Sequence, residues 1–304
     1  MRRTAVMGIA VAAGAVVAVG LGAGIWAVTR PASPSAVVMT YFSALAAGDA
    51  RAALAVTTTP QERIGDAVTA YASVGDEISE VRVTSSTREA DAARVVVSFT
   101  LAGSPGESSL ELAARPDGGW KITDGLAELT ATTTLGQAVA IGDLRAPAGA
   151  PIPLLPGGYD VEALPRGLVS GSTSVSLQPG MRREVEVAAS LAPAATAAAQ
   201  EQLDAYATAC AAASSAVPPN CGLRVPWAAD LATLSSLAFR VEQLPVVALS
   251  PDGTTFAATG GVVIATATGT TRQGGTASFT YRADDWALRG TVSFPGNEMV
   301  LAVG

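Results

Sequence analysis

A long uncharged stretch near the start of the chain constrains its fold more than any other feature of the sequence. Residues 5–28 contain no charged side chain and almost no polar one. As a helix they would extend about 36 Å at 1.5 Å per residue, enough to cross the roughly 30 Å hydrocarbon core of a bilayer. Arg2 and Arg3 precede the stretch and only Arg30 follows closely, which favours a cytoplasmic N-terminus. We therefore predict a cytoplasmic tip and a transmembrane anchor within residues 1–30.

The main alternative for this stretch is a cleaved signal peptide. Such a peptide has an apolar region of about 7–15 residues, followed by a cleavage site of small residues. The run here is longer, and no clean Ala-x-Ala sequence follows it. An uncleaved anchor predicts a single-pass protein of the plasma membrane whose C-terminal domains are extracytoplasmic. Within the anchor, Gly20 and Gly24 form a small-xxx-small pair that could hold two copies together as a weak homodimer.

The charge of the chain limits its partners. With 19 basic and 26 acidic residues the net charge is −7, which disfavours binding to nucleic acid and to anionic surfaces. The sequence has no histidine, and so lacks the commonest general base near neutral pH and the commonest metal ligand. We predict no metal, no cofactor and no nucleic-acid partner.

The two cysteines of the chain, Cys210 and Cys221, flank the turn-forming sequence Val-Pro-Pro-Asn at 217–220. An even pair around a turn in an extracytoplasmic region is typical of a disulfide bond. Closing so short a loop would stabilise the fold by roughly 2–3 kcal/mol. The alternative is a pair of unrelated buried thiols, while a metal site would need further ligands that are hard to supply without histidine.

After a linker at 31–35, which reads Pro-Ala-Ser-Pro-Ser, the pattern predicts three helices and then strands. Asp49 can cap a second helix over 50–56, and a third can run from Pro60 to about residue 73. The sequence Pro-Asp-Gly-Gly at 116–119 predicts a hairpin turn between two of the strands. The first helix has apolar residues at i, i+3 and i+4 spacing: Val37, Val38, Tyr41, Phe42 and Leu45.

Residues of the first helix and of the last of these strands resemble a known fold. The helix contains Tyr41-Phe42 and is followed by Gly48-Asp49-Ala50, and the strand reads Gly-Trp-Lys-Ile at 119–122. This arrangement resembles the NTF2-like cone fold, in particular the bacterial extracellular members that follow one membrane helix. The resemblance covers about residues 34–130 and implies an α+β domain over 36–130. In such a cone, five aromatic side chains would line or fill an apolar pocket: Tyr41, Phe42, Tyr71, Phe99 and Trp120.

Two further modules are predicted downstream. Residues 131–190 have short strands separated by Pro and Gly, and Leu-Pro-Gly-Gly-Tyr-Asp-Val at 155–161 resembles a turn and strand of the small β-sandwich modules in TcaA-type envelope proteins. Residues 191–304 combine an Ala-rich helix at 193–213 with a run of strands, which predicts an α+β module with a mostly antiparallel sheet. Asp284-Asp285 is interpreted as a turn in this sheet. The chain as a whole is thus predicted to be α+β.

Few residues could carry catalysis. The single lysine, Lys121, lies in no Ser-x-x-Lys frame. Paired carboxylates can do acid–base work, although acidic residues in loops and turns are usually solvated. Three such pairs occur in the sequence: Asp76 with Glu77, Glu111 with Asp124, and Asp284 with Asp285.

These observations favour a non-enzymatic, membrane-anchored extracytoplasmic protein of the bacterial cell envelope. It would bind an envelope protein, a cell-wall component or a small apolar ligand, and the TcaA-type resemblance implies a role near the wall. Two alternatives stay open. One is a structural or assembly spacer with no ligand of its own, and the other is an enzyme that uses carboxylates in an NTF2-like pocket.

Overall fold

The computed structural model describes residues 32–116, 118–123 and 125–304. The predicted membrane segment at 5–28, with Gly20 and Gly24, lies outside these residues, as do Asp117 of the predicted hairpin turn and Asp124 of one carboxylate pair. Across the described ranges, no helix combines the length and the apolar character needed to cross a bilayer.

The prediction of an α+β fold is wrong, because the described residues are mostly β. Strands account for 51% of the residues and helices for 19%, and the described part of the chain contains four helices. The run of strands predicted at the C-terminal end includes two long ones, Thr255–Thr271 and Thr276–Ser293. Their Thr and Val side chains suit extended backbone. Both strands continue through shifts in the pairing register.

The chain divides into two compact units. The first comprises residues up to 60 together with 78–125, and the second comprises 61–77 together with 126–304. The chain thus passes from the first unit to the second at residue 61, returns to the first at residue 78, and enters the second again at residue 126. Each unit is described by itself below.

The first unit consists of two helices and a four-stranded antiparallel sheet of order β1-β2-β3-β4. The elements are α1 (Pro34–Ala46), α2 (Ala50–Ala55), β1 (Ser79–Glu89), β2 (Ala92–Leu101), β3 (Ser104–Ala114) and β4 (Trp120–Ile122). Ser33 caps α1 and Asp49 caps α2 through hydrogen bonds from the first-turn amides. Helix α1 packs against β1, β2 and β4, and Val38, Leu45 and Val95 are fully buried between these elements.

The third predicted helix does not join this sheet. Helix α3 (Gln61–Tyr71) belongs to the second unit, where it packs on β7 (Leu144–Pro147) and β8 (Pro151–Leu154). An apolar helix face is satisfied by any apolar surface of the right shape, so its pattern does not specify which strands cover it. The structure is therefore not a clear α+β cone, and the cone predicted for 36–130 is corrected accordingly.

The middle of the second unit is formed by short strands in two sheets, β12-β5-β8 and β11-β9-β6-β7, and a small β10-β13 pair. Strands β12 and β5 run parallel. Besides β7 and β8, the strands are β5 (Ala127–Thr133), β6 (Ala138–Ile141), β9 (Gly157–Ala163), β10 (Val169–Ser170), β11 (Ser172–Leu177), β12 (Arg182–Val187) and β13 (Ser190–Leu191). Fully buried Leu129, Val139, Leu154 and Val161 contribute to the core.

The C-terminal part of the second unit is a five-stranded antiparallel sheet of order β14-β16-β17-β18, in which β15 pairs with the first part of β16. The elements are α4 (Pro193–Cys210), β14 (Leu231–Gln243), β15 (Val246–Leu249), β16 (Thr255–Thr271), β17 (Thr276–Ser293) and β18 (Val300–Val303). Asp284-Asp285 lies inside β17 at a shift in the β16–β17 register, so the predicted turn there is a bulge. The bulge keeps Ala283 and Trp286 facing the same side of the sheet.

One face of this sheet is covered by α4 and by the loop that follows it. Helix α4 packs against β15 and β18. Residues of the loop, among them Val217, Val225 and Trp227, pack against a buried cluster of Leu231, Leu237 and Ala267. The opposite face carries mainly Thr, Ser and charged side chains.

Candidate binding groove

The loop after α4 is fixed at its start by a disulfide. Cys210, the last residue of α4, and Cys221 have Sγ atoms 1.98 Å apart and Cα atoms 5.6 Å apart, which confirms the predicted pairing. The carbonyl oxygen of Cys221 accepts a hydrogen bond of 2.7 Å from the indole Nε1 of Trp286, a buried residue of β17. The loop is thereby attached both to the helix and to the strand.

The next residue brings the loop into direct contact with β17. Gly222 has φ +62°, and a Cβ atom at this position would lie 2.2 Å from the carbonyl oxygen of Ala287. Only glycine permits this backbone conformation together with so close an approach. The loop and the strand therefore touch at Gly222 and Ala287.

Beyond Gly222, residues 223–226 form no helix or strand and lie beside β17 without pairing with it. Among the residues that the structure describes, no backbone hydrogen bond joins this segment to β17. A cavity of about 1240 Å³ lies here, and its lining includes residues 223–226 and the consecutive residues 282–289 of β17. Because alternate residues of a strand point to opposite faces, a cavity lined by consecutive residues follows the strand's edge. We call this space the β17 groove.

The edge of β17 is open along the groove. Strand β18 pairs only with Gly290–Ser293, and the carbonyl oxygen of Arg289 accepts a hydrogen bond of 3.0 Å from the Gly304 amide. In a strand, the N–H and C=O groups of successive residues point alternately to the two neighbouring strands. The backbone groups of Ala287 therefore point to the same side as those of Arg289. Gly222 covers the carbonyl oxygen of Ala287. The outward peptide groups of β17 before Ala287 have no loop partner in a backbone hydrogen bond among the described residues, and they are available to a further strand.

Other edges of the same sheet are closed by hydrogen bonds. The side-chain amide of Gln200 on α4 bonds the Val247 amide at 2.8 Å and the Pro245 carbonyl at 3.0 Å, which covers β15. Gln202 bonds the Leu301 amide at 3.2 Å and the Met299 carbonyl at 2.8 Å, which covers β18. On β14, Leu237 exchanges two backbone hydrogen bonds with Ser214. The groove side of β17 has no such closure within the described ranges.

A smaller apolar recess adjoins the groove. It has a volume of about 170 Å³ and lies between residues 223–226 of the loop and the covered face of the sheet. Its lining adds Phe239, Ala265 and Tyr281 to residues shared with the groove. The Tyr281 hydroxyl donates a hydrogen bond of 2.7 Å to Asp230. Burial and the neighbouring Asp230 carboxylate raise the pKa of Tyr281 to about 12.

Charged side chains stand at the rim of the groove. Arg282 forms ion pairs with Asp284, at 2.7 Å, and with Glu242. The hydrogen bond with Glu242 raises the pKa of the Arg282 guanidinium. Arg224 and Arg289 also line the groove, and neither forms an ion pair with another described residue. The rim of the groove therefore offers both signs of charge.

The five aromatic residues predicted for a pocket are all buried, and they are divided between the two units. Tyr41, Phe42, Phe99 and Trp120 lie in the first unit and Tyr71 lies in the second. The rings of Tyr41 and Phe42 meet edge to face with centroids 5.1 Å apart, and the Tyr41 hydroxyl donates to the Gly125 carbonyl. None of the five lines the β17 groove. That they form a ligand pocket stays a prediction.

The candidate catalytic residues each have their own surroundings. Asp76 and Glu77 are exposed, and Glu111 forms a 2.6 Å ion pair with Arg94. Lys121 donates to the Ala55 carbonyl. Within the described ranges, no group of three or more His, Cys, Asp or Glu side chains could hold a metal ion. Among the carboxylates of these pairs that the structure describes, Asp284 and Asp285 line the groove.

Few features of the sequence indicate the groove. Its two walls are separated by more than fifty residues along the chain, and neither wall carries a recognisable binding motif. The useful signals were the cysteine pair and the doublet Asp284-Asp285, which interrupts an otherwise alternating strand. No protein-family model, curated protein sequence or solved structure matches this chain. The groove is therefore interpreted from its own residues.

Proposed function

We propose that this chain is a membrane-anchored, non-enzymatic binding protein of the bacterial cell envelope, and that its extracytoplasmic part binds an extended polypeptide segment of a partner in the β17 groove. The anchor at 5–28 and the disulfide between Cys210 and Cys221 support the location. The sequence at 155–161, similar to TcaA-type proteins, supports a place near the cell wall. The observation that carries the binding function is the open edge of β17 beside residues 223–226 of the loop.

Strand addition suits this geometry because it uses peptide groups that any polypeptide supplies. A segment in the groove would pair with β17 on one side and could meet the backbone of residues 223–226 on the other. Each hydrogen bond contributes only about 0.5–1.5 kcal/mol net, whereas micromolar affinity requires about 8 kcal/mol. Backbone pairing must therefore be supplemented by side-chain burial and by the charged rim.

Amide hydrogen exchange tests this proposal directly. The full-length chain, purified in detergent, is used to select binders from a phage library of random nine-residue peptides, and a selected peptide is then added in excess. We expect slower exchange of amides in residues 282–287 of β17 and in residues 223–225. Residues 82–88 of β1, an edge strand of the first unit, serve as the internal control and should not change. Failure to select any peptide, or protection confined to other regions, would contradict the proposal.

The proposed location has its own test. Protease is added to intact cells that make the full-length chain with an epitope tag at its C-terminus. We expect the tag to be lost while an intracellular control protein survives. A tag that survives when a known surface protein is digested would contradict an extracytoplasmic C-terminal part.

A further inference from the structure

The recess beside the β17 groove has the properties of a pocket for one side chain. From the lining described above, we infer that the polypeptide segment bound in the groove places an aliphatic side chain, of the size of Val, Ile or Leu, in this recess. The inference rests on the proposed function, because the segment must first lie along β17. It adds the feature by which the protein would distinguish one segment from another.

Incomplete burial of apolar side chains supports this inference. Phe239, Tyr281 and Val225 face the covered side of the sheet and pack against the buried cluster of Leu231, Leu237 and Ala267, yet they are only partly buried. Apolar surface left in contact with water on the covered side of a sheet is unfavourable. An apolar group from a ligand would remove that surface from water.

The size and the polarity of the recess define which side chain fits. A volume of about 170 Å³ is well below the 300–1,000 Å³ typical of small-molecule pockets, and it suits a single side chain. The Tyr281 hydroxyl is already bonded to Asp230, and the Arg282 guanidinium is paired with Glu242 and Asp284. The other charged side chain of the lining belongs to Arg224, which is exposed. Burying an unpaired polar group is costly, which selects for an aliphatic one.

The position of the recess agrees with a segment bound in extended form. The recess and the groove share Leu223, Val263 and Ala283 in their linings, so a residue lying along β17 can direct its side chain into the recess. Its neighbours would point the other way, toward the exposed face and its charged rim. The expected ligand therefore has one fixed aliphatic position flanked by polar or charged residues.

Two substitutions of the full-length chain test the recess by changing its size. Ala265→Leu fills it, since Ala265 is a buried residue of its lining. Ala238→Leu is the matched control, since Ala238 is exposed on β14 next to Phe239. Phe239→Ala enlarges the recess. Circular dichroism checks that each variant is folded.

Selections from the nine-residue phage library then provide the readout. We expect peptides selected by the wild-type chain to share Val, Ile or Leu at one position. Ala265→Leu should weaken binding of such a peptide about tenfold to a hundredfold and shift its selected position to Ala or Gly, whereas Ala238→Leu should change binding less than about twofold. Phe239→Ala should shift the selected position to Phe or Tyr, so the inference is testable even where Ala265→Leu fails to fold.

The outcomes separate the inference from the proposed function. Peptides that protect β17 from exchange but share no aliphatic position overturn the inference alone. The same holds where both size variants select the wild-type pattern. A wild-type chain that selects no peptide overturns the proposed function, and the inference with it.

Discussion

Two glutamine side chains of α4 complete the C-terminal sheet at separate edges. The Gln200 side chain accepts a hydrogen bond from the Val247 amide of β15 and donates one to the Pro245 carbonyl just before that strand. The Gln202 side chain accepts from the Leu301 amide of β18 and donates to the Met299 carbonyl. A primary amide offers both a donor and an acceptor, so each side chain acts as a short substitute for a neighbouring strand. Sheet edges closed in this way are poor sites for unwanted strand pairing.

Replacing Gln200 by Leu should lower the free energy of unfolding by about 1–3 kcal/mol. The substitution leaves the amide of Val247, a buried residue, without its partner, and an unsatisfied buried group costs about this much. Urea denaturation measures the change. The exposed neighbour provides the control, because Glu201→Leu keeps both hydrogen bonds. Equal losses in the two variants would show that the amide closure does not stabilise the sheet.

The buried phenol of Tyr71 should make folding stability depend on alkaline pH. Burial, and then the negative charge of Glu77, raises the pKa of Tyr71 from 10.0 to about 12. As the pH rises, the unfolded chain loses this proton first. The contribution of the group is therefore complete below pH 10 and falls between pH 10 and 12. In urea denaturation between about pH 9 and pH 11, the wild-type chain should lose stability more steeply than Tyr71→Phe, and parallel profiles would contradict the raised pKa.

At the scale of the elements, local patterns predicted much of the helical structure. The first two helices lie where the apolar spacing and Asp49 indicated, and strands come after the helices as predicted. The partners of α3 could not be predicted, because an apolar stripe does not identify the surface that covers it. The doublet Asp284-Asp285 was misjudged since acidic pairs suit both turns and bulges. The groove depends on a loop meeting a distant strand, which no local pattern encodes.

The disulfide between α4 and the loop should stabilise the fold that holds the groove wall in place. Substituting both Cys210 and Cys221 by Ser should lower the free energy of unfolding by roughly 2–3 kcal/mol, because the unfolded chain gains freedom when so short a loop is opened. Urea denaturation with and without dithiothreitol measures this effect. Reduction should destabilise the wild-type chain to a similar extent and leave the double variant unchanged. A wild-type chain that is insensitive to reduction would contradict the expectation.

At the scale of the whole molecule, the path of the chain assigns α3 to the second unit. Two alanines, both fully buried, allow a matched comparison: Ala70 on α3 and Ala53 on α2. A buried unpaired carboxylate is strongly destabilising, so Ala70→Asp should speed amide hydrogen exchange in β5–β9 and leave β2 and β3 protected. Ala53→Asp should do the reverse. Similar exchange patterns in the two variants would contradict the division into units.

The interrupted path of the second unit also has a consequence for synthesis. Helix α3 leaves the ribosome before β1–β4 and before β7 and β8, the strands on which it packs. Its apolar residues Ala67, Ala70 and Tyr71, which are buried in the folded protein, therefore lack their packing partners while the sheet of the first unit is still being translated. A nascent chain paused in this interval exposes an apolar helix face to chaperones, and the second unit can complete its folding only after the first unit's sequence has emerged.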